Sequence, residues 1–232
     1  MPIEIPIFPL QVVLFPGMQL PLHIFEPRYQ LMLKRCLEGN HFGVDRAFGV
    51  ALPMHEMAGQ TEVIPAPVGC LAEITQVNAL PDGRTNLVTV GSQRFRIHTL
   101  RHEDEYYIGE VEFFDDMPET DSTDAQSQQT RNALGQYLAA VAGTSGLQAL
   151  DLLQNPAPAS AREFSMWVAA LLPLQLHEKQ TLLETTSTLH RLQQEYSLLR
   201  RAEAIQRAYA RRAETLQNLP GPVNIEQLTS LN

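Results

Sequence analysis

Histidines beside carboxylates are the first side chains to consider for chemistry in this chain of 232 residues. His98 and His102 are four residues apart, and Glu103 follows His102 directly. A four-residue spacing places two side chains on one face of a helix, whereas successive side chains of a strand point to opposite faces. Because this stretch has the pattern of a strand end, we predict neither a metal site nor a His–Glu pair here. A hydrolase built on such residues is the last of three functional hypotheses.

The familiar catalytic motifs do not occur in the sequence. The two lysines, Lys34 and Lys179, do not follow a glycine, which excludes the phosphate-binding loop of P-loop ATPases. The Gly-x-Ser-x-Gly and Ser-x-x-Lys patterns of hydrolases are missing as well. The two cysteines, Cys36 and Cys70, are too few for a disulfide framework or an all-cysteine zinc site. We therefore predict a protein that is not an enzyme and holds no cofactor or metal.

The distribution of charge indicates which partners to expect. Residues 1–118 carry 8 basic and 15 acidic side chains, a sum of −7, and the whole chain has a net charge of −9. Nucleic acids attract basic surfaces, so this balance disfavours them as partners. No apolar stretch approaches the ~18 residues of a membrane-spanning helix, and the first residues lack the pattern of a signal peptide. We expect a cytoplasmic protein without membrane contact.

Two kinds of pattern divide the chain. Residues 1–118 contain short strands and one early helix that begins at Pro27, which is typical of a small, nearly closed β-barrel. Asp82-Gly83 is the strongest hairpin signal within them. Residues 123–217 show apolar residues at helical spacing and helix-capping signals, and they form the predicted helical subdomain. Residues 218–232 are predicted to be a loose tail. The predicted fold class is α+β.

Four segments resemble the Lon-protease N-terminal (LON substrate-binding) domain family. The longest runs from Ile5 to Tyr29 and reads IPIFPLQVVLFPGMQLPLHIFEPRY. The others are residues 68–74, residues 82–97 and residues 172–184. The resemblance is to a stand-alone LON-domain protein without ATPase or protease domains. It implies a PUA-like N-terminal β pseudobarrel, a C-terminal all-helical bundle and a role in binding polypeptides. RNA binding, which the PUA-like fold suggests, is the second functional hypothesis.

The motif residues of these segments are predicted to shape the barrel. Glu26 should stabilise the first turn of the early helix and pair with Arg28 or Arg94. Gly69 and Gly91 should allow two backbones to approach closely. The complete set of structural motif residues is Pro9, Phe15, Pro16, Phe25, Glu26, Arg28, Tyr29, Gly69, Asp82, Gly83, Arg84, Gly91, Arg94 and Phe95.

A crevice where the barrel meets the helices is the predicted binding site. An extended peptide or an apolar segment could be held there, and the acidic barrel predicts a preference for apolar segments that also carry lysine or arginine. The candidate binding residues are Leu20, Leu22, Phe25, Trp167, Leu171 and Leu174. The predicted function is a non-catalytic polypeptide-binding or adaptor protein. The sequence does not specify an oligomeric state.

Overall fold

The computed structural model describes residues 2–39, 41–54, 64–103, 106–145 and 157–217. Its strands are β1 (Ile3–Pro9), β2 (Gln19–Ile24), β3 (Ala47–Ala51), β4 (Pro53–Met54), β5 (Ile64–Pro65), β6 (Val68–Ala79), β7 (Thr85–Glu103) and β8 (Tyr106–Phe114). Its helices are α1 (Pro27–Glu38), α2 (Asp121–Ser145), α3 (Ala161–Leu171), α4 (Leu176–Glu184) and α5 (Thr188–Gln217). Strands dominate the first half and helices the second, as the α+β class predicts.

Five strands of the main sheet close into a ring. The strand order is β2-β7-β6-β3-β1-β8, and β8 pairs again with β7. Strand β7 is 19 residues long, so its first part can pair with β2 and its last part with β8. Closure leaves fewer free strand edges than an open sheet would have. The predicted β pseudobarrel with one early helix is therefore confirmed.

Two glycines allow backbones to cross inside the barrel wall. A Cβ atom on Gly91 would lie 2.2 Å from the carbonyl oxygen of Phe15, and a Cβ atom on Gly69 would lie 2.4 Å from that of Val50. Both distances are far below the contact distance of nonbonded atoms. Any larger residue at either position would therefore push the crossing segment away from the sheet.

Buried apolar side chains form two clusters in and around the barrel. One contains Ile5, Phe95 and Val111, which are all fully buried. The other joins the apolar face of α1, including Met32, to barrel residues such as Phe48. Burying one such side chain contributes about 1.5–3 kcal/mol. The early helix is thus held against the barrel by its apolar face.

Local hydrogen bonds set the starts of the helices. The Ser160 hydroxyl accepts a hydrogen bond from the N–H of Glu163 at the start of α3, as the capping signal predicts. Helix α2 begins at Asp121, two residues before the predicted start of the helical subdomain. The reason is a capping hydrogen bond at the start of the helix. The N–H of Thr120, the residue before α2, donates to the hydroxyl of Thr123 in the first turn.

The chain divides into two compact units that do not follow chain order. The first unit consists of the described residues within 1–128 and 157–195, and the second of those within 129–156 and 196–232. This division does not coincide with the boundary near 118–123 suggested by sequence, because α3, α4 and the start of α5 belong to the unit of the barrel. The tail predicted at 218–232 lies outside the described residues. In the part of the chain that the structure describes, no helix is long and apolar enough to cross a membrane.

Candidate functional site

A cleft of about 480 Å³ opens in the first unit, at an interruption in the sheet. Strand β2 pairs with β7 up to Val90, and β8 pairs with β7 from Arg94 onward. Strands β2 and β8 both pair with one edge of β7, and β6 pairs with the opposite edge. Ser92 and Gln93 fall between β2 and β8, have no register partner in these neighbouring strands, and line the cleft.

The loop before β2 forms one wall of the cleft. Gly17 has a φ of +80°, which turns the chain after Pro16. The N–H of Gly17 donates to the carbonyl oxygen of Gly91 over 2.8 Å, and the N–H of Gly91 donates to that of Met18 over 2.9 Å. These bonds fix the loop on β7, and Pro16 and Met18 line the cleft as a result.

Helix α3 forms another wall of the cleft. Met166, Trp167 and Ala170 line it from one side of the helix. The Trp167 ring is half-buried, and its centroid lies 6.1 Å from that of the fully buried Phe164. An aromatic ring supported in this way offers a large apolar surface at little cost in conformational entropy. The two walls together suit a bulky apolar side chain.

The charged side chains that line the cleft balance one another. They are Asp115 and Glu163 against Arg94 and Arg162. Arg162 Nη1 lies 3.3 Å from Asp115 Oδ1, and the N–H of Arg162 donates to a Glu119 carboxylate oxygen. Both partners of the ion pair are exposed, so it contributes little to stability. The acidic excess that predicts a preference for basic segments is therefore not found in the cleft lining.

Arg94 connects the cleft to a buried ionic network. Its guanidinium pairs with Asp116, which also accepts hydrogen bonds from Arg191 and from the Thr188 hydroxyl. The side chains of all three ionic residues are at most 3% exposed. Both arginines also donate to the carbonyl oxygen of Thr185 over 2.8 Å, just after the end of α4. One carboxylate thereby joins β7 to the helical segments of the same unit.

The network continues to a second buried carboxyl group. Arg191 Nε donates to the Ser165 hydroxyl, which donates to Glu195 Oε1 over 2.8 Å. Burial raises the pKa of Glu195 well above its usual range, and the Ser165 hydrogen bond only partly offsets this. For Asp116, burial acts in the same direction, but the hydrogen bonds and charges of Arg191 and Arg94 outweigh it and lower the pKa. The surroundings thus shift Asp116 toward its ionised form and Glu195 toward its protonated form.

Of the six candidate binding residues, only Trp167 lines the cleft. Leu20 belongs to the barrel core, and Leu22 packs against the same cluster. Phe25 is 60% exposed and lies outside the cleft lining. The half-buried Leu171 and Leu174 are also outside it. A pattern of bulky apolar residues does not reveal which of them a fold turns inward.

Several cleft residues carry no sequence signal for binding. Met18 follows a Pro-Gly turn, which is the only local sign that a loop crosses the barrel there. The Asp115-Asp116 pair looks like part of a solvated acidic run, although Asp116 is buried. The partner of Glu26 is Arg28, with Nη2 and Oε2 2.8 Å apart, whereas Arg94 pairs with Asp116.

The remaining candidate residues for chemistry have ordinary surroundings. His98 Nε2 lies 3.0 Å from a Glu112 carboxylate oxygen, and the His102 ring packs edge-on against Tyr107. The side chain of Glu103 lies outside the described residues. No group of three or more histidine, cysteine, aspartate or glutamate side chains within the described ranges could hold a metal ion. Cys36 is buried, and burial raises the pKa of its thiol to about 12.

Comparison with known proteins identifies relatives over most of the chain. The model of the ATP-dependent protease La (LON) substrate-binding domain matches residues 4–201. Lon protease of Escherichia coli K12 is 29% identical over 204 residues, which cover 82% of this chain and 24% of that protein. Lon protease of Buchnera aphidicola is 29% identical over 194 residues, with the same two coverages. The chain thus spans about a quarter of the length of these relatives.

Two solved structures have the same fold. The Lon N-terminal domain protein from Xanthomonas campestris is 25% identical, with a TM-score of 0.59 over 82% of this chain and 95% of that one. The N-terminal domain of Mycobacterium avium complex Lon protease is 17% identical, with a TM-score of 0.64 over 84% of this chain and 97% of that one. The chain belongs to the LON substrate-binding domain family.

Proposed function

We propose that this protein is a cytoplasmic, non-catalytic adaptor that binds polypeptide segments in the cleft of its first unit. The observation that carries the proposal is the cleft itself, in which the walls around Met18 and Trp167 meet at an interruption in the sheet. Concave sites with mostly apolar walls and a few polar groups are the usual form of a binding site. The name of the family, a substrate-binding domain, supports the same role.

The chemistry of the walls suits varied apolar side chains. Methionine side chains are flexible and polarisable, so Met18 and Met166 can adapt to ligand groups of different shape. Trp167 supplies a rigid surface against which such a group can pack. We therefore expect the cleft to select for apolar bulk and to tolerate many sequences.

A polar group in the cleft suits the backbone of a bound peptide. The Ser92 hydroxyl oxygen is buried and has no hydrogen-bond partner among the described residues. A peptide group can both donate and accept a hydrogen bond, so it can satisfy this hydroxyl after a rotation about χ1. Ser92 lies where β7 lacks a register partner, which is a suitable place for a foreign backbone.

Trp167 is the only tryptophan of the chain and therefore reports directly on the cleft. We expect its fluorescence emission to shift to the blue when the protein is titrated with a reduced and alkylated, permanently unfolded polypeptide. Met18→Asp and Ala170→Arg should each weaken this binding at least tenfold, because they place a charge or a long side chain between the apolar walls. Circular dichroism checks that both variants fold.

Phe25→Ser is the matched control for these variants. Phe25 is a large exposed apolar residue that does not line the cleft, so its replacement should leave binding unchanged. If Ala170→Arg binds as tightly as the natural protein while Phe25→Ser loses affinity, the cleft is not the binding site.

A further inference from the structure

The far end of α5, in the second unit, exposes an amphipathic face that we call the basic stripe. It consists of Arg201, Ile205, Tyr209 and Arg212, which are spaced by four, four and three residues and so lie on one face of the helix. Ile205 is 44% exposed and Tyr209 is 63% exposed. Exposed apolar side chains of this size on a regular helix mark a surface suited to a partner.

The arginines of the basic stripe differ from their neighbours on α5. Arg200 and Arg207 both pair with the buried carboxylate of Glu203, at 2.8 and 2.7 Å. Arg201 and Arg212 are exposed and show no ion pair within the described residues. Two cations therefore flank the exposed apolar side chains, and their electrostatic complement would be a surface of opposite charge.

The chain carries a surface of that kind in its first unit, which we call the acidic patch. It consists of Asp115, Met117, Glu119 and Asp121, between the end of β8 and the start of α2. Met117 is 57% exposed, and the acidic residues on both sides of it are exposed as well. The N–H of Met117 donates to the carbonyl oxygen of Thr186 over 2.8 Å, which fixes the backbone that presents this side chain.

We infer that the basic stripe of one molecule docks on the acidic patch of a second copy of this chain. Each surface combines exposed apolar side chains with charges, which are positive on the stripe and negative on the patch. Among the described residues, the cation beside the patch is Arg162, which pairs with Asp115 and leaves the side chain of Asp121 without that neighbour. Such a contact joins two different patches, so two copies can form it twice across a two-fold axis, or successive copies can form it once each. Because each surface is small compared with a standard interface, the association is weak and is steered by charge. The net charge of −9 disfavours a nucleic acid as the occupant of the stripe.

Sedimentation equilibrium over a range of protein concentrations tests this inference. At low salt the weight-average mass should rise above the 26.0 kDa of one chain, and it should fall back in about 1 M NaCl, where the Debye length is short. Reversing the stripe with Arg201→Glu and Arg212→Glu should abolish the rise. Reversing the patch with Glu119→Lys and Asp121→Lys should do the same.

A charge swap separates a specific contact from a general effect of charge. A chain that carries all four reversals restores the complementarity with opposite sign, so its association should return. Tyr209→Ser and Met117→Ser should each weaken association without any change of charge. The exposed Lys34 on α1 offers a matched control, because Lys34→Glu reverses a charge outside both surfaces. It should leave the association unchanged.

Three results would overturn the inference, provided that circular dichroism shows each variant to be folded. The first is a mass of one chain at every concentration and salt. The second is association that persists when the stripe is reversed. The third is a four-fold reversed chain that stays monomeric. None of them depends on polypeptide binding in the cleft, because the stripe lies outside the cleft lining and the patch variants leave Asp115, the one patch residue that lines the cleft, unchanged.

Discussion

Two carboxyl groups of the buried network can each be replaced by an amide, and we expect different effects on the stability of the protein. Asp116→Asn and Glu195→Gln each replace a buried carboxyl group by an amide of nearly the same size. Asp116 pairs with Arg94 and Arg191. Among the described residues, Glu195 accepts a hydrogen bond only from the neutral Ser165 hydroxyl, and its second oxygen has no partner. We expect Asp116→Asn to destabilise the protein strongly and Glu195→Gln to leave its stability unchanged or raise it.

The magnitude for Asp116→Asn follows from the burial of its partners. Arg94 and Arg191 are 3% and 0% exposed, so loss of the carboxylate leaves two guanidinium groups buried without a counter-charge. Removing one partner of a buried ion pair costs about 3–5 kcal/mol. For a chain of this size that corresponds to a fall in Tm of roughly 6–20 °C. For Glu195→Gln we expect a change within about 1 kcal/mol near pH 4.5, because an amide resembles a protonated carboxyl group in charge and shape. At higher pH the variant should be the more stable protein, because unfolding of the natural protein releases the proton of Glu195.

The two carboxyl groups also affect the pH dependence of stability with opposite sign. The pKa of Asp116 is lowered from its ordinary value of 3.8, so its contribution is present above that pH and is lost as the pH falls. The pKa of Glu195 is raised above its ordinary value of 4.5, so the native state keeps a proton that the unfolded state releases. The free energy of unfolding should therefore decline as pH rises from about 4.5 toward the native pKa of Glu195. Glu195→Gln should remove that decline.

Urea denaturation, followed by Trp167 fluorescence and by circular dichroism at several pH values, measures all of these effects. A loss below about 1 kcal/mol for Asp116→Asn would refute the conclusion that both arginines depend on this carboxylate. Equally large losses for Asp116→Asn and Glu195→Gln near pH 4.5 would contradict the raised pKa of Glu195.

Three further predictions concern the core, the crossing of backbones and the absence of catalysis. Leu192→Ala and Leu199→Ala should each cost about 2–5 kcal/mol in a denaturant titration, because both side chains are fully buried, and losses below 1 kcal/mol would contradict this. Gly91→Ala should lower Tm far more than Gly83→Ala. The methyl group at position 91 would clash with the carbonyl oxygen of Phe15, whereas a methyl group at position 83 would lie in open space and only the φ there is unfavourable. The purified protein should neither hydrolyse ATP nor degrade casein, and an activity that co-purifies through every column would show the proposal of a non-catalytic role to be wrong.

The sequence predicts those features that depend on residues close together in the chain. The hairpin turn at Asp82-Gly83 is one of them: Arg84 Nε donates to Asp82 Oδ2 over 2.7 Å, and Gly83 has a φ of +84°. The cap of α3 at Ser160 is another, because its partner is three residues away. Alternating apolar residues likewise predict the strands of the barrel. In each case the forces act within one or two turns of backbone, so a short window of sequence contains both partners.

The tertiary structure decides the features that depend on residues far apart in the chain. Asp116 lies close in sequence to Asp115, Glu119 and Asp121, a pattern typical of solvent-exposed chain. It is nevertheless buried, because Arg94 and Arg191, 22 and 75 residues away, converge on it. The cleft arises in the same way, because β2 and β8 stop short of each other along β7 and leave Ser92 and Gln93 without register partners. Local pattern shows that a side chain is apolar or charged. Only the packing of remote segments determines whether it meets water, a counter-charge or the wall of a cleft.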